Sequence, residues 1–124
     1  MKKILVIDDK ETLSGLVAQF LGTNFDVTTK LNGYDALQWL QDSNLPDVII
    51  TDLQMPKMDG FEFINKVKQS GFFAEIPIIV LSCKNSSKDR ISCLKAGASD
   101  YMVKPFNPEE LLIRIENLLQ KNNV

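Results

Sequence analysis

The chain has 124 residues, 44% of them hydrophobic and 24% charged, which fits one globular domain and argues against a disordered or fibrous protein. Fourteen Lys+Arg against sixteen Asp+Glu leave a net charge of −2, so no basic excess is available to neutralise a nucleic-acid backbone. There is no histidine, and Cys83 and Cys93 lack metal-ligand spacing, which excludes zinc sites and histidine-based acid–base catalysis; a reducing cytoplasm is the expected compartment.

The chain opens with Met-Lys-Lys and a short apolar run, Ile4–Ile7, that ends at Asp8-Asp9. Four apolar residues are too few for a signal peptide, and no run approaches the ~20 residues of a membrane span. Leu13, Leu16, Val17, Phe20 and Leu21 then recur at helical spacing. Phe25–Thr29 reads as a second, more polar strand, and Asn32-Gly33 breaks the chain before a helix marked by Ala36, Leu37 and Leu40. Past Pro46 comes Val48–Thr51, ending at Asp52. Asp59-Gly60 precedes a helix on Phe63, Ile64 and Val67. Pro77 introduces Ile78–Leu81, which ends at Ser82, and a weaker helix carries Ile91, Leu94 and Lys95-Ala96. After Gly97, Tyr101–Val103 forms the last strand, ending at Lys104-Pro105. Asn107, Pro108 and two glutamates then mark a helix start, and Leu111, Leu112, Ile115, Leu118 and Leu119 its apolar face.

Ile4–Ile7, Val48–Thr51 and Ile78–Leu81 are apolar at nearly every position, as strands buried on both faces are; the other two suit sheet edges. Alternation of strands with helices predicts right-handed βαβ units and an α/β, doubly wound, five-stranded parallel sheet. The whole of residues 1–124 reads as one domain, without repeats or a linker. In such sheets ligands sit beyond the carboxyl ends of the strands, at the switch point of strand order.

Those ends carry Asp8, Asp9, Asp52, Ser82 and Lys104. An acid after a strand is commonly a helix cap, a serine likewise, and a lone loop lysine is commonly solvated. Together they form a coherent charge pattern instead. Clustered carboxylates repel one another unless a cation lies among them, and a few oxygen ligands with room for water and a phosphoryl oxygen suit Mg²⁺. Asp52 beside such a cation can act as a nucleophile toward phosphorus and form an acyl phosphate. Lys104 would neutralise the transferred group, and the Ser82 hydroxyl would donate to it.

These residues resemble the receiver domain of two-component response regulators. The matching stretches are Ile4 to Asp9, Pro46 to Gly60, Ile76 to Ser82 and Ala96 to Phe106, in family order and spacing, and the likeness runs from about Lys3 to Leu119. The resemblance implies a flavodoxin-like receiver fold of strand order 2-1-3-4-5. It implies that Asp52 is the phosphoacceptor and that Mg²⁺ is held by Asp8, Asp9, Asp52 and the backbone carbonyl of Gln54, Asp8 acting mainly through water. Lys104 would pair with the acceptor and then with the phosphoryl group, across a cis Lys104–Pro105 bond. Pro56 and Asp59-Gly60 would shape the loop after the acceptor. Ser82 and Tyr101 would be the switch pair, Tyr101 swinging inward on phosphorylation. Without the resemblance, Tyr101 reads as a half-buried edge-strand aromatic. The surface that changes would lie on the fourth helix, fifth strand and fifth helix. The chain would be a signalling switch, catalysing only its own phosphorylation and dephosphorylation.

Several positions depart from the common receiver pattern. Lys10 stands where many relatives have a third acid, which would lower metal affinity. Cys83 is bulkier than the usual small residue and would hinder water or a phosphodonor; for both cysteines packing is the expected role. Gln54 and Lys84 border the phosphoryl group, where Lys84 either slows hydrolysis or is a solvated loop lysine.

The alternative is an aspartyl-phosphate-forming phosphatase of a related α/β fold. Haloacid-dehalogenase-like enzymes place the nucleophile after the first strand with a second acid two residues on, where this chain has Lys10 after Asp8 and Glu11 after Asp9. A flavodoxin-like cofactor binder would need a Ser/Thr/Gly-rich loop after the first strand, and none is present. The phosphodonor must be another protein, a histidine kinase or histidine phosphotransfer protein, and the output a downstream protein target, with the chain a monomer or weak homodimer. Met1 and the polar tail favour a stand-alone receiver over part of a longer regulator.

Overall fold

The structure, a computed structural model, describes residues 1–83 and 87–121. Five strands alternate with five helices: β1 Lys3–Ile7, α1 Glu11–Leu21, β2 Asp26–Lys30, α2 Gly33–Gln41, β3 Val48–Thr51, α3 Gly60–Gln69, β4 Ile78–Ser82, α4 Ser87–Ala96, β5 Asp100–Val103 and α5 Pro108–Lys121. All neighbouring strands run parallel, in the order β2-β1-β3-β4-β5. β1, β3 and β4 occupy the middle, and the more polar β2 and the short β5 form the edges, as their composition predicts.

Side chains alternate across the sheet, so each central strand feeds two cores. Leu5, Ile7, Ile49, Ile78 and Val80 pack with Ala36, Leu40, Phe63, Ile64 and Val67 from α2 and α3. Ile4, Val6, Val48, Ile50, Ile79 and Leu81 face the other way, onto Val17 and Leu21 of α1 and Leu111 and Ile115 of α5. Every one of these residues is buried, which fixes the register, because a one-residue slip would exchange the two faces.

Helix starts follow the polar residues that precede them. The Asn32 side chain accepts from the Asp35 N–H at 2.8 Å, and Asp59 from the Glu62 N–H at 2.9 Å. Asn107 accepts from the Glu109 N–H at 2.8 Å, so α5 starts at Pro108 as its sequence predicts.

Two apolar faces differ from expectation. Leu16 and Phe20 are exposed, and α1 buries Ser14, Val17 and Leu21 instead. Ile91 and Leu94 are also exposed, and Cys93 is the buried residue of α4 among those described. Both helices carry apolar residues on more than one side, so spacing alone does not choose the face that meets the sheet.

Gly97 breaks the chain between α4 and β5 with φ +119°, and a Cβ there would stand 2.8 Å from Lys68 Cγ. The stem of Lys68 lies against this bare backbone while its ammonium donates to the Ala74 and Ile76 carbonyls at 2.9 and 3.1 Å. Gly97→Ala is therefore expected to cost about 1–3 kcal/mol, from the strained φ and the displaced lysine. Chemical denaturation checks this, and an unchanged midpoint would contradict it.

Candidate functional site

The parallel ladder continues one residue past three strands. Asp8 N–H donates to the Lys30 carbonyl at 3.0 Å, Asp52 N–H to the Ile7 carbonyl at 3.0 Å, and Lys104 N–H to the Ser82 carbonyl at 2.8 Å. The residues after β1, β3 and β5 thus leave the sheet in register on one edge. Asp8 and Asp52 are only 5% and 6% exposed, and Ser82 1%, whereas Asp9 faces solvent. Carboxylate oxygens of Asp8, Asp9 and Asp52 all lie within 4.8 Å of one another. This hard, oxygen-only donor set could hold a divalent cation such as Mg²⁺.

The Lys104 ammonium bridges two of the acids, 2.8 Å from Asp8 Oδ2 and 3.3 Å from Asp52 Oδ2, with side chains at most 8% exposed. Burial pulls this ammonium toward neutrality. The hydrogen bond to Asp8 and the charges of Asp52 and Asp8 outweigh that, so its pKa ends above the ordinary lysine value. The Lys104–Pro105 peptide is cis, as expected.

Each buried carboxylate also has a backbone donor. Lys10 N–H donates to Asp8 Oδ1 at 2.9 Å, and Leu53 N–H to Asp52 Oδ1 at 2.6 Å. Gly60 N–H closes the loop after β3 by donating to the Leu53 carbonyl at 2.8 Å. A Cβ at Gly60 would collide with the Asp52 carbonyl oxygen and stand 2.8 Å from Leu53 Cα. Gly60 therefore lets the first turn of α3 press directly on the peptide that positions Asp52. In the same loop Lys57 takes φ 67°, a left-handed conformation that nothing in the sequence signals.

Asp8, Asp9, Asp52 and Lys104 are thus brought together as the sequence predicts, and Ser82 stands at the end of neighbouring β4. Lys104 lies nearer Asp8 than Asp52, a preference the sequence did not reveal. Gln54 lies in the loop after β3 with an exposed side chain. Tyr101 is 5% exposed rather than half-buried. Burial pushes its phenol pKa up, and a hydrogen bond between it and Ser82 acts in the opposite sense. Cys83 is exposed, against the packing role expected of it, and lines an apolar groove of about 510 Å³ between α1 and α5. Cys93 is buried, as expected, and desolvation pushes its thiol up to about 11. Lys84 lies outside the described residues.

Chemically, the site offers a buried carboxylate, Asp52, held at one oxygen by a backbone N–H, beside a fixed cation and two further acids. Among the described residues no helix is long and apolar enough to cross a membrane.

The family model of the response regulator receiver domain matches residues 4–116. The chain is 36% identical over 124 residues to the alkaline phosphatase synthesis transcriptional regulatory protein PhoP of Bacillus subtilis, covering 99% of this chain and 50% of that protein. It is 38% identical over 117 residues to the sensor histidine kinase TmoS of Ectopseudomonas mendocina, covering 94% of this chain but 12% of the kinase. The chain thus spans half or less of these two relatives. Among solved structures, the receiver domain of a Francisella response regulator superposes with a TM-score of 0.90 at 32% identity, covering 98% of this chain and 99% of that one. The chemotaxis response regulator CheY4 of Vibrio cholerae gives 0.88 at 35% identity, covering 96% and 99%.

Proposed function

The chain belongs to the response regulator receiver domain family, and from that premise we propose that it is a phosphorylation-controlled signalling switch whose phosphoacceptor is Asp52. The observation that carries this reading is the pairing of buried Asp52 with Lys104 at 3.3 Å inside a three-carboxylate cluster. Residues 1–124 act in this reading as one receiver domain.

In the proposed reaction, a carboxylate oxygen of Asp52 attacks phosphorus in the phosphohistidine of a kinase or phosphotransfer protein. The new P–O bond replaces the P–N bond, and the imidazole leaves. Leu53 N–H fixes one Asp52 oxygen, which sets the direction of the other. The Lys104 ammonium stabilises charge on the transferred oxygens, and Ser82 donates to one of them. Asp8, Asp9, Asp52 and the Gln54 carbonyl would hold Mg²⁺, which when bound supplies further charge neutralisation. The phosphoryl group adds about −1.5 to −2 charges. Ser82 and Tyr101 respond to it, and the changed surface runs over α4, β5 and α5, where a downstream protein target binds. The proposed compartment is the cytoplasm.

Incubation with Mg²⁺ and a small acyl phosphate should add one phosphoryl group per chain, seen by intact mass, and chelation should abolish the gain. Sustained turnover of a phosphate monoester would instead favour the phosphatase alternative.

Asp9 is the exposed member of the cluster and forms no ion pair among the described residues. Asp9→Ala should weaken Mg²⁺ binding while metal-free stability stays equal or rises, because it removes a ligand and also a mutual repulsion. Calorimetric titration and metal-free thermal melting check both halves. A clear loss of metal-free stability would make Asp9 a structural residue.

A further inference from the structure

Tyr101 sits on an edge strand, yet its ring is buried and hydrogen-bonded with Ser82. Its cover comes from α4, where the Arg90 guanidinium lies 5.5 Å from the ring centroid. We propose that Arg90 is a positioning residue that holds Tyr101 in its inward orientation, so that this receiver is biased toward its activated arrangement. The inference rests on the reading of Ser82 and Tyr101 as the switch pair.

A guanidinium over the face of a tyrosine is attracted by the ring quadrupole, and its flat shape matches the ring. Two acids that share the groove with Arg90 are engaged by another arginine. Asp100 accepts from Arg114 at 2.7 and 2.8 Å, and Glu110 from Arg114 at 3.2 Å. Arg90, Asp100, Glu110 and Arg114 line the same open groove of about 760 Å³ beside Tyr101, where both carboxylates serve Arg114. α4 makes little other claim on the core, since Cys93 is its buried residue among those described. Moving Tyr101 outward would forfeit the Arg90 contact, the Ser82 bond and the burial of the ring together.

An Arg–aromatic contact of this exposure changes an equilibrium roughly five-fold. By linkage, a phosphoryl mimic that favours the inward ring binds more weakly, by up to that factor, once the bias is removed.

The test uses the full chain with meta-fluorotyrosine and Tyr34→Phe, which leaves Tyr101 as its one tyrosine. Fluorine NMR without any phosphodonor reports the ratio of buried to solvent-exposed ring. Arg90→Met, which keeps the stem and loses the charge, should move that ratio roughly five-fold toward the exposed ring and weaken beryllofluoride binding in parallel, with the thermal midpoint lowered by no more than about a few degrees. Arg90→Lys, which keeps the charge but not the flat face, should restore part of the ratio. An unaltered ratio in Arg90→Met, or no recovery in Arg90→Lys, would overturn the proposal. Because the ratio is read without phosphoryl transfer, it fails independently of Asp52: loss of phosphorylation would sink the proposed function and leave this measurement standing.

Discussion

Asp52→Asn is expected to abolish phosphoryl uptake while leaving the fold in place. An amide has the size of the carboxylate but lacks its nucleophilic charge, so no acyl phosphate forms at this position. The structural surroundings tolerate the change. Leu53 N–H, 2.6 Å from Asp52 Oδ1, can still donate to an amide oxygen, and Lys104 keeps its shorter contact with Asp8 at 2.8 Å while losing the Oδ2 acceptor at 3.3 Å. One carboxylate fewer also relieves the cluster of Asp8, Asp9 and Asp52. Stability should therefore shift by no more than about 1 kcal/mol. Intact-mass measurement after donor treatment reads the first expectation, and denaturant unfolding the second. Labelling at the wild-type level would remove Asp52 from the mechanism.

Lys104→Ala is expected to have the largest effect on stability. Its ammonium separates two carboxylates that are almost wholly buried, and removing one partner of such a group leaves uncompensated charge. The cost in metal-free buffer should be about 3 kcal/mol, and millimolar Mg²⁺ should recover much of it by taking the place of the lost cation. The pH dependence has a definite sign. The folded-state pKa of Lys104 is raised above 10.5, so its contribution is fully present below that value and is lost as pH climbs through the raised one. The wild-type advantage over Lys104→Ala should hold across neutral pH and shrink only in strong alkali. Phosphorylation should remain possible in this variant, but its effect on α4 and β5 should be lost, since Lys104 ties the last loop to the acceptor. Equal metal-free stability of the two proteins would contradict the electrostatic account. Wild-type spectral shifts along α4 on phosphorylation would contradict the coupling.

The sheet and its polar edge were readable because both follow from periodicity. Strands such as Val48–Thr51 and Ile78–Leu81 are apolar throughout, and the acids, serine and lysine fall on their carboxyl ends, so parallel order alone brings them together. The faces of α1 and α4 were not readable in the same way. Leu16, Phe20, Ile91 and Leu94 have the spacing of core residues but remain exposed, because helix rotation is set by packing against the sheet rather than by composition. Lys104's preference for Asp8 over Asp52, the Leu53 donor and the Arg90–Tyr101 contact depend on distances of a few tenths of an ångström up to side-chain length. Sequence spacing carries no such information. The close approach behind Gly60 had a partial signal, since Asp-Gly marks a turn, but not that the missing Cβ makes room for the acceptor's own carbonyl.

The most direct test of the account is to locate the phosphoryl group itself. Wild-type protein phosphorylated in Mg²⁺ can be treated with borohydride, which reduces an aspartyl phosphate to homoserine, and then digested and sequenced by mass spectrometry. The account predicts homoserine at position 52 and nowhere else. Homoserine at Asp8 or Asp9 would place the nucleophile after β1, as in the phosphatase alternative, and would contradict it.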